Sequence, residues 1–254
     1  MAGALVRRFL HRAGLRRWRA LAERARTADL AELRDLRAEA RQTRRAVERA
    51  IGTADERLAL PLLGSNALRP PPGSDWVWRP ALWRAARSPS GIAPARGEEA
   101  IDAEVTLFHD AGAGEVVLRQ GRNDRPQDLA PFGLALEVFG FDGRFLSLSV
   151  RLPEAAVTGL RLSHLFRVAA AVESEHPLTS TVRLNVRHGP NTAEMIAELA
   201  PDGGERAAEF DLAQAGISER RIERAWIDLI FLAPAMNRID IRDLTLSRRP
   251  RAEL

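Results

Sequence analysis

The chain has 254 residues, 45% hydrophobic and 28% charged, the proportions of a globular protein. No apolar run approaches the roughly 20 residues of a membrane-spanning helix, and the basic start lacks the uninterrupted core of roughly 7–15 apolar residues of a secretory signal, so cytoplasmic synthesis is expected. Cysteine is absent, which excludes disulfides, thiolate metal sites and cysteine nucleophiles.

Lysine and tyrosine are absent as well, so every basic side chain other than histidine is a guanidinium. A GC-rich genome accounts for that bias, but an arginine-only surface can also fork onto carboxylates and phosphates. The net charge of +4 is unevenly spread. Residues 1–57 carry 15 arginines against 8 acidic residues, and residues 58–254 carry 23 against 26. The basic character therefore belongs to an N-terminal arm of residues 1–58.

Two helices are expected in that arm. "LRRWRALAERAR" places Leu15, Trp18, Ala22 and Ala25 on one side with arginines around them. "DLAE" opens the second helix as a capping box, with Asp29 as N-cap and Glu32 reaching back. Leu33, Leu36, Ala40, Thr43, Val47, Ala50 and Ala54 then recur at alternating spacings of three and four. That heptad-like seam suits packing on another helix, a sister subunit or the body. Residues 59–100 read as a linker rich in Pro, Gly and Trp that leads into the next domain. "PLLGSNALRPPPGSD" admits no regular element, and "DWVWRPALW" follows with Trp76, Trp78 and Trp83.

From residue 101 the texture becomes short strands separated by turn signals. In "RFLSLSVRL", Leu146, Leu148, Val150 and Leu152 alternate with Ser147, Ser149 and Arg151. In "TVRLNVRHG", Val182, Leu184 and Val186 alternate with Arg183, Asn185 and Arg187. "TAEMIAELA" reads as a strand returning from "GPN". "WIDLIFL" is apolar on both faces apart from Asp228, the pattern of a central strand. In "NRIDIRDLTLSR" the apolar phase moves from odd (Ile239, Ile241) to even (Leu244, Leu246), which marks a bulge. About nine or ten such strands over residues 101–254 predict a mainly β fold, an antiparallel jelly-roll-like β-sandwich preceded by the helical region.

The closing stretch "AWIDLIFLAPAMNRIDIRDLTLSR" resembles the end of galactose-binding-like jelly rolls, the fold of many carbohydrate-binding modules. The final strand has their form at Ile239, Ile241, Asp243, Leu244 and Leu246. "DWVWRPALWR", "FDGRFLSLSVRLP", "VRLNVRHGPNT" and "WIDLIFLAPAMNRI" together resemble an uncharacterised alphaproteobacterial family, a domain of unknown function. The second resemblance implies no activity and supplies no site residues.

The residues support several sites. Trp76 and Trp83 could stack on sugar rings or bases, or the tryptophan cluster could seal the junction between arm and sandwich. The seal is the stronger reading. The row Arg183, Asn185 and Arg187 then becomes the better ligand candidate, suited to a carboxylate- or phosphate-bearing ligand such as an acidic polysaccharide. His188 and Asn191 lie in the loop at its end, where binding residues often sit. Arg7, Arg8, Arg12, Arg16, Arg17, Arg19, Arg24 and Arg26 could neutralise phosphates on nucleic acid or an anionic membrane. The histidines show no metal-ligand spacing, no calcium-loop pattern is present and no catalytic motif appears, so no metal, cofactor or enzymatic activity is expected. The leading expectation is a non-catalytic protein whose sandwich binds a carbohydrate. The alternative is a structural adaptor in a phage-like particle or envelope-associated assembly, with the N-terminal helices forming a homo-oligomer or docking on a protein partner.

Overall fold

A computed structural model describes residues 2–61, 67–68, 70–112, 115–202 and 205–251, with the side chains of residues 2–8, 10, 48, 49 and 55–57 outside the description. The chain divides into two compact units, Met1–Ala54 and Asp55–Leu254.

The first unit is a helical hairpin of α1 (Ala2–Arg24) and α2 (Leu30–Leu58). Asp29 caps α2 by accepting from the backbone N–H groups of Ala31 and Glu32, both at 2.9 Å. Glu32 makes an interhelical ion pair with Arg24 at 2.5 Å, and Arg17 pairs with Glu39. The two pairs step in opposite directions along the helices, which fixes them antiparallel. Among the described side chains of α1 the half-buried ones are Ala13, Gly14, Trp18 and Leu21, with Ala25 half-buried just beyond its end, whereas Leu15 and Ala22 are exposed. The apolar face is thus rotated by one residue from the stripe the spacing predicts. On α2, Leu33, Leu36, Ala40 and Thr43 are half-buried, while Val47, Ala50 and Ala54 are exposed. No described residue of this unit is fully buried.

The second unit is a two-sheet antiparallel sandwich. The early strands are β1 (Trp76–Trp78), β2 (Gly91–Ile92), β3 (Glu98–Ala100), β4 (Val105–His109), β5 (Val116–Arg122), β6 (Phe132–Val138) and β7 (Phe145–Arg151). The later ones are β8 (His164–Ser174), β9 (Ser180–His188), β10 (Asn191–Glu198), β11 (Ala200–Asp202), β12 (Glu205–Asp211), β13 (Ile222–Leu232) and β14 (Asn237–Pro250). Short helices α3 (Ala81–Arg84) and α4 (Glu154–Val157) punctuate them. One sheet runs β11-β12-β8-β14-β6-β5-β2, with β1 added beside β14; the other runs β10-β9-β13-β7-β4-β3. These are the antiparallel sandwich and helical N-terminus that the alternation and heptad patterns predict.

Alternation fills the space between the sheets. Leu146, Leu148 and Val150 of β7, Val182, Leu184 and Val186 of β9, and Ile227, Leu229 and Phe231 of β13 meet Ile239, Ile241, Leu244 and Leu246 of β14 in one core. The phase change in β14 is a bulge, with the register against β8 shifting between Ile241 and Asp243. Arg242 is the extra residue, so Ile241 and Leu244 both reach the core. The bulge presses on β6: a Cβ on Gly133 would stand 3.2 Å from the Ile241 carbonyl oxygen and 2.7 Å from Asn123 Oδ1. Glycine is needed there for close approach.

β14 changes partner along its length. Asn237–Ile241 pairs with β6, and Leu246–Arg248 pairs with β1. Two charge pairs of opposite polarity fasten the incoming segment. Asp75 accepts from Arg248 Nε at 3.0 Å and Nη2 at 3.1 Å, and Arg79 donates to Asp243 from Nε at 2.7 Å and Nη2 at 2.6 Å. Arg79 and Asp243 are both buried. Burial pushes the Asp243 carboxyl above its ordinary range, and the Arg79 guanidinium draws it back. Trp83 is fully buried and donates from Nε1 to the Ile241 carbonyl at 2.9 Å. Trp76 and Trp78 are half-buried against the core, their rings stacked at 6.3 Å, with Trp76 also on Phe166.

Arg79→Ala leaves a buried carboxylate without its partner and is expected to cost about 3–5 kcal/mol of unfolding free energy. The double variant Arg79→Leu/Asp243→Leu removes both charges and should recover most of that loss. Denaturant titration of the single and double variants measures the difference; equal losses would show that the pair is not the fastening element.

Candidate functional site

The row Arg183, Asn185 and Arg187 lies on the outward face of the second sheet, because Val182, Leu184 and Val186 occupy the core face of β9. The row is already partnered. Asp228, across the ladder on β13, accepts from Arg183 Nε at 3.0 Å and Asn185 Nδ2 at 2.8 Å. Arg183 also stands 3.6 Å from Glu194, and Arg187 is 3.4 Å from Glu223. Asn185 is buried, so the amide expected to meet a ligand instead fixes a carboxylate. His188 is buried too and accepts from the Ser218 N–H at 3.3 Å. Asn191 is exposed and pairs with His188 across a two-residue turn that opens with Gly189 at φ 60°. Trp83, expected among ligand-facing residues, lies wholly inside the core, and half-buried Trp76 packs on its edge. Both tryptophans therefore serve the junction of segment 75–83 with β14.

In the helical unit, Arg12, Arg16, Arg17, Arg19, Arg24 and Arg26 are exposed on α1 or just beyond it. Arg17 and Arg24 form the interhelical pairs, and Arg26 stands 3.4 Å from Glu23. The side chains of Arg7 and Arg8 lie outside the described residues.

The same sheet face contains an open cleft of about 260 Å³ next to this row, lined by Glu98, Glu104, Thr106, Phe108, Ser149, Arg151, Arg224 and Trp226, with Ala103 and Ala225 completing the wall. Register brings the lining together. Trp226 sits opposite Asn185 on one side and Arg151 on the other, Ser149 faces Thr106, and Phe108 faces Glu98. Trp226 and Phe108 are half-buried and point outward, since Ala225, Ile227, Val105 and Leu107 take the core positions. The Arg224 guanidinium lies 5.6 Å from the centre of the Trp226 ring. Arg151 and Arg224 are exposed and, among the described residues, form no ion pair, unlike Arg183 and Arg187 on the same face. Glu104, also in the lining, accepts from the Ala81 N–H at 2.7 Å.

The outer face of the other sheet holds a trough of about 390 Å³ with Val77, Arg79, Arg167, Ala169, Glu205, Asp243, Thr245 and Ser247 in its lining. Its charges are largely satisfied internally: Arg79 by Asp243, and Arg167 by Asp202 at 2.6 Å. Glu205 is pushed up by burial, reinforced by the negative charge of Asp243. Among the described residues, no group of three or more His, Asp or Glu side chains is placed to hold a metal ion. No helix among them is long and apolar enough to cross a membrane.

The sequence matches one family model over its whole length, residues 1–254, described as a family of unknown function. The chain belongs to the DUF6478 family. No curated protein matches the DUF6478 chain. Solved structures similar to it include a family 11 carbohydrate-binding module from Clostridium thermocellum in complex with a β-1,3-1,4-mixed-linked tetrasaccharide. That likeness has 12% identity and a TM-score of 0.39, and covers 63% of this chain and 99% of that one. A xylan-binding domain of family 22 matches at 12% identity and a TM-score of 0.34, covering 73% and 99%. The enzymatically active domain of bacteriophage CBA120 tailspike protein 4 matches at 8% identity and a TM-score of 0.39, over 56% of this chain and only 19% of the tailspike chain. At these levels the likenesses bear on neither ligand nor activity.

Reading the sequence alone misses Arg151, Arg224, Trp226 and Phe108. Arg151 ends the polar phase of β7, and Arg224 and Trp226 share the outward phase of β13 on either side of buried Ala225, so alternation gives each its face. Their meeting depends on the β7–β13 register. Asp228→Ala should strand the Asn185 amide and cost about 1–3 kcal/mol, read by denaturant unfolding; unchanged stability would show that the Arg183–Asp228–Asn185 group is not needed to hold this face.

Proposed function

We propose that the sandwich is a non-catalytic carbohydrate-binding module whose site is the cleft around Trp226. The supporting observation is an indole held half-buried on an outward sheet face, among hydroxyls, carboxylates and guanidiniums. A sugar ring offers an apolar face and a rim of hydroxyls. A site for it therefore combines an aromatic surface with a few placed polar groups. Trp226 and Phe108 provide the aromatic surface. Thr106, Ser149 and Glu98 provide donors and acceptors at the rim. The core-facing alternation of β4, β7 and β13 keeps this surface rigid, which limits the ordering cost of binding.

Binding of the full chain to a glycan array spanning neutral and acidic oligosaccharides tests the reading. Trp226→Ala should weaken every interaction found by on the order of tenfold or more while unfolding remains cooperative. An array without signal for the wild-type chain would sink it.

A second reading concerns the helical unit and is favoured by the lack of any fully buried residue among its described ones. A two-helix hairpin with a seam only half covered has little to offset its ordering entropy. Val47 and Ile51, 51% and 53% exposed, continue the α2 stripe beyond Thr43. We propose that this stripe self-associates, making a homo-oligomer through the helices. Light scattering on the full chain should report an oligomer, and Val47→Glu/Ile51→Glu should reduce it to a monomer. A monomeric wild-type chain at micromolar concentration would remove this reading.

A further inference from the structure

Four arginines point outward near one another on the second sheet, and they divide into two kinds. Arg183 is held by Asp228 and Glu194, and Arg187 by Glu223. Arg151 and Arg224 line the cleft and, among the described residues, form no ion pair. The ladder makes this costly. Arg224 sits directly opposite Arg187, a like-charge cross-strand pair, and a bulge between Ile222 and Arg224 displaces Glu223 out of the regular pairing. Glu223 neutralises Arg187, and the Arg224 side chain turns over the Trp226 ring. Arg151 is the cross-strand neighbour of Trp226 on its other side. Two guanidiniums thus bracket one indole, on a face where the neighbouring arginines have been given carboxylates.

We infer that the ligand of this cleft is an anionic sugar, with Arg151 and Arg224 gripping a carboxylate or sulfate while Trp226 supports the ring. This rests on the carbohydrate-binding reading and specifies its ligand class. The guanidinium is suited to the task because its planar donors match a carboxylate or sulfate in a forked geometry. The paired Arg183 and Arg187 then have a different role. They and their carboxylates hold the β9–β13 side of the face, and they are not expected to touch the ligand. Glu98, exposed at the rim, would repel an anion that approaches from the β3 side. The carboxylate or sulfate should therefore lie toward β13 and the neutral hydroxyls toward β3.

Isothermal titration of the full chain provides the test, with oligogalacturonate, a neutral galactan oligomer of equal length, a sulfated carrageenan oligomer and a single-stranded oligonucleotide of matched charge. Oligogalacturonate or the sulfated oligomer should bind at least about tenfold more tightly than the neutral oligomer, and that advantage should shrink as salt rises. A preference for one of these two over the other identifies the anionic group. Arg151→Gln and Arg224→Gln should each weaken binding of the anionic oligomer by about tenfold. Arg119→Gln, on the outer face of the other sheet, should leave it unchanged, and matched thermal unfolding of all three variants checks folding. Equal affinity for neutral and anionic oligomers overturns the inference while leaving carbohydrate binding intact. Oligonucleotide binding as tight as oligogalacturonate overturns it as well. Binding to none of the sugars instead fails the underlying carbohydrate reading.

Discussion

The sandwich depends on how residues 75–83 are fastened to β14. That strand is the spine of its sheet, pairing with β8 along one edge and with β6 along only the first part of the other. The rest of that second edge would present unpaired backbone groups and open the core beside Leu244 and Leu246. β1 covers the far part of it, and α3 drops Leu82 and Trp83 into the core beside the bulge. The charges make the placement selective. Asp75 meets Arg248 and Arg79 meets Asp243, so reversing the segment or sliding it along β14 would bring like charges together or leave one buried alone. Hydrophobic burial of three tryptophans supplies stabilisation without direction. The crossed ion pairs supply the register.

The same logic of local neutralisation shapes the opposite sheet. Its outward face carries alternating polar side chains, and most charges there have a partner within the ladder. A carboxylate at Asp228, buried within the apolar run 226–232 of β13, is tolerated because an arginine and an amide converge on it. This closes one half of the face. The other half, toward β7 and β4, keeps an aromatic floor and two arginines, Arg151 and Arg224, that form no ion pair among the described residues. The contrast between a self-satisfied half and an unsatisfied half distinguishes the cleft around Trp226 from the trough on the other sheet, where Arg79 and Arg167 are committed to Asp243 and Asp202.

Much of this architecture is written in short-range pattern. Alternation in β7, β9 and β14 assigns inward and outward faces correctly, and the odd-to-even change between Ile241 and Leu244 locates the bulge. β1, β2, β3 and β11, each of two or three residues, leave no such trace, since so few positions cannot display a period. Crowded tryptophans after a Pro-rich stretch point to burial, but the sequence places the seal between arm and sandwich, whereas the rings pack on β14 and the core within the sandwich unit. The strand and crossed ion pairs that fasten them there leave no short-range trace, because Arg79 and Asp243 are 164 residues apart. The ligand row illustrates the limit best. Alternation alone shows Arg183 and Arg187 as outward guanidiniums, and only the β9–β13 pairing reveals that their charges are spent. The register that removes them from consideration also gathers Arg151 of β7 with Arg224 and Trp226 of β13, although β8 to β12 lie between those strands in sequence.

The position of β14 also bears on how the fold is reached. It lies at the centre of its sheet, yet it comes later in the chain than every strand it joins. β8, β6 and β1 cannot assemble around it until residues 237–250 are available, and the pairing of β1 with it closes a loop that spans most of the unit. Such non-local closure is entropically expensive and slow compared with forming a helical hairpin. The other sheet is built the same way: β13, which joins β9 to β7, ends at Leu232, just before β14 begins at Asn237. Local pairs such as the β9–β10 and β5–β6 hairpins can form earlier. Neither sheet closes until residues 222–250 have been made, so during synthesis the strands that flank β13 and β14 wait with their core faces uncovered.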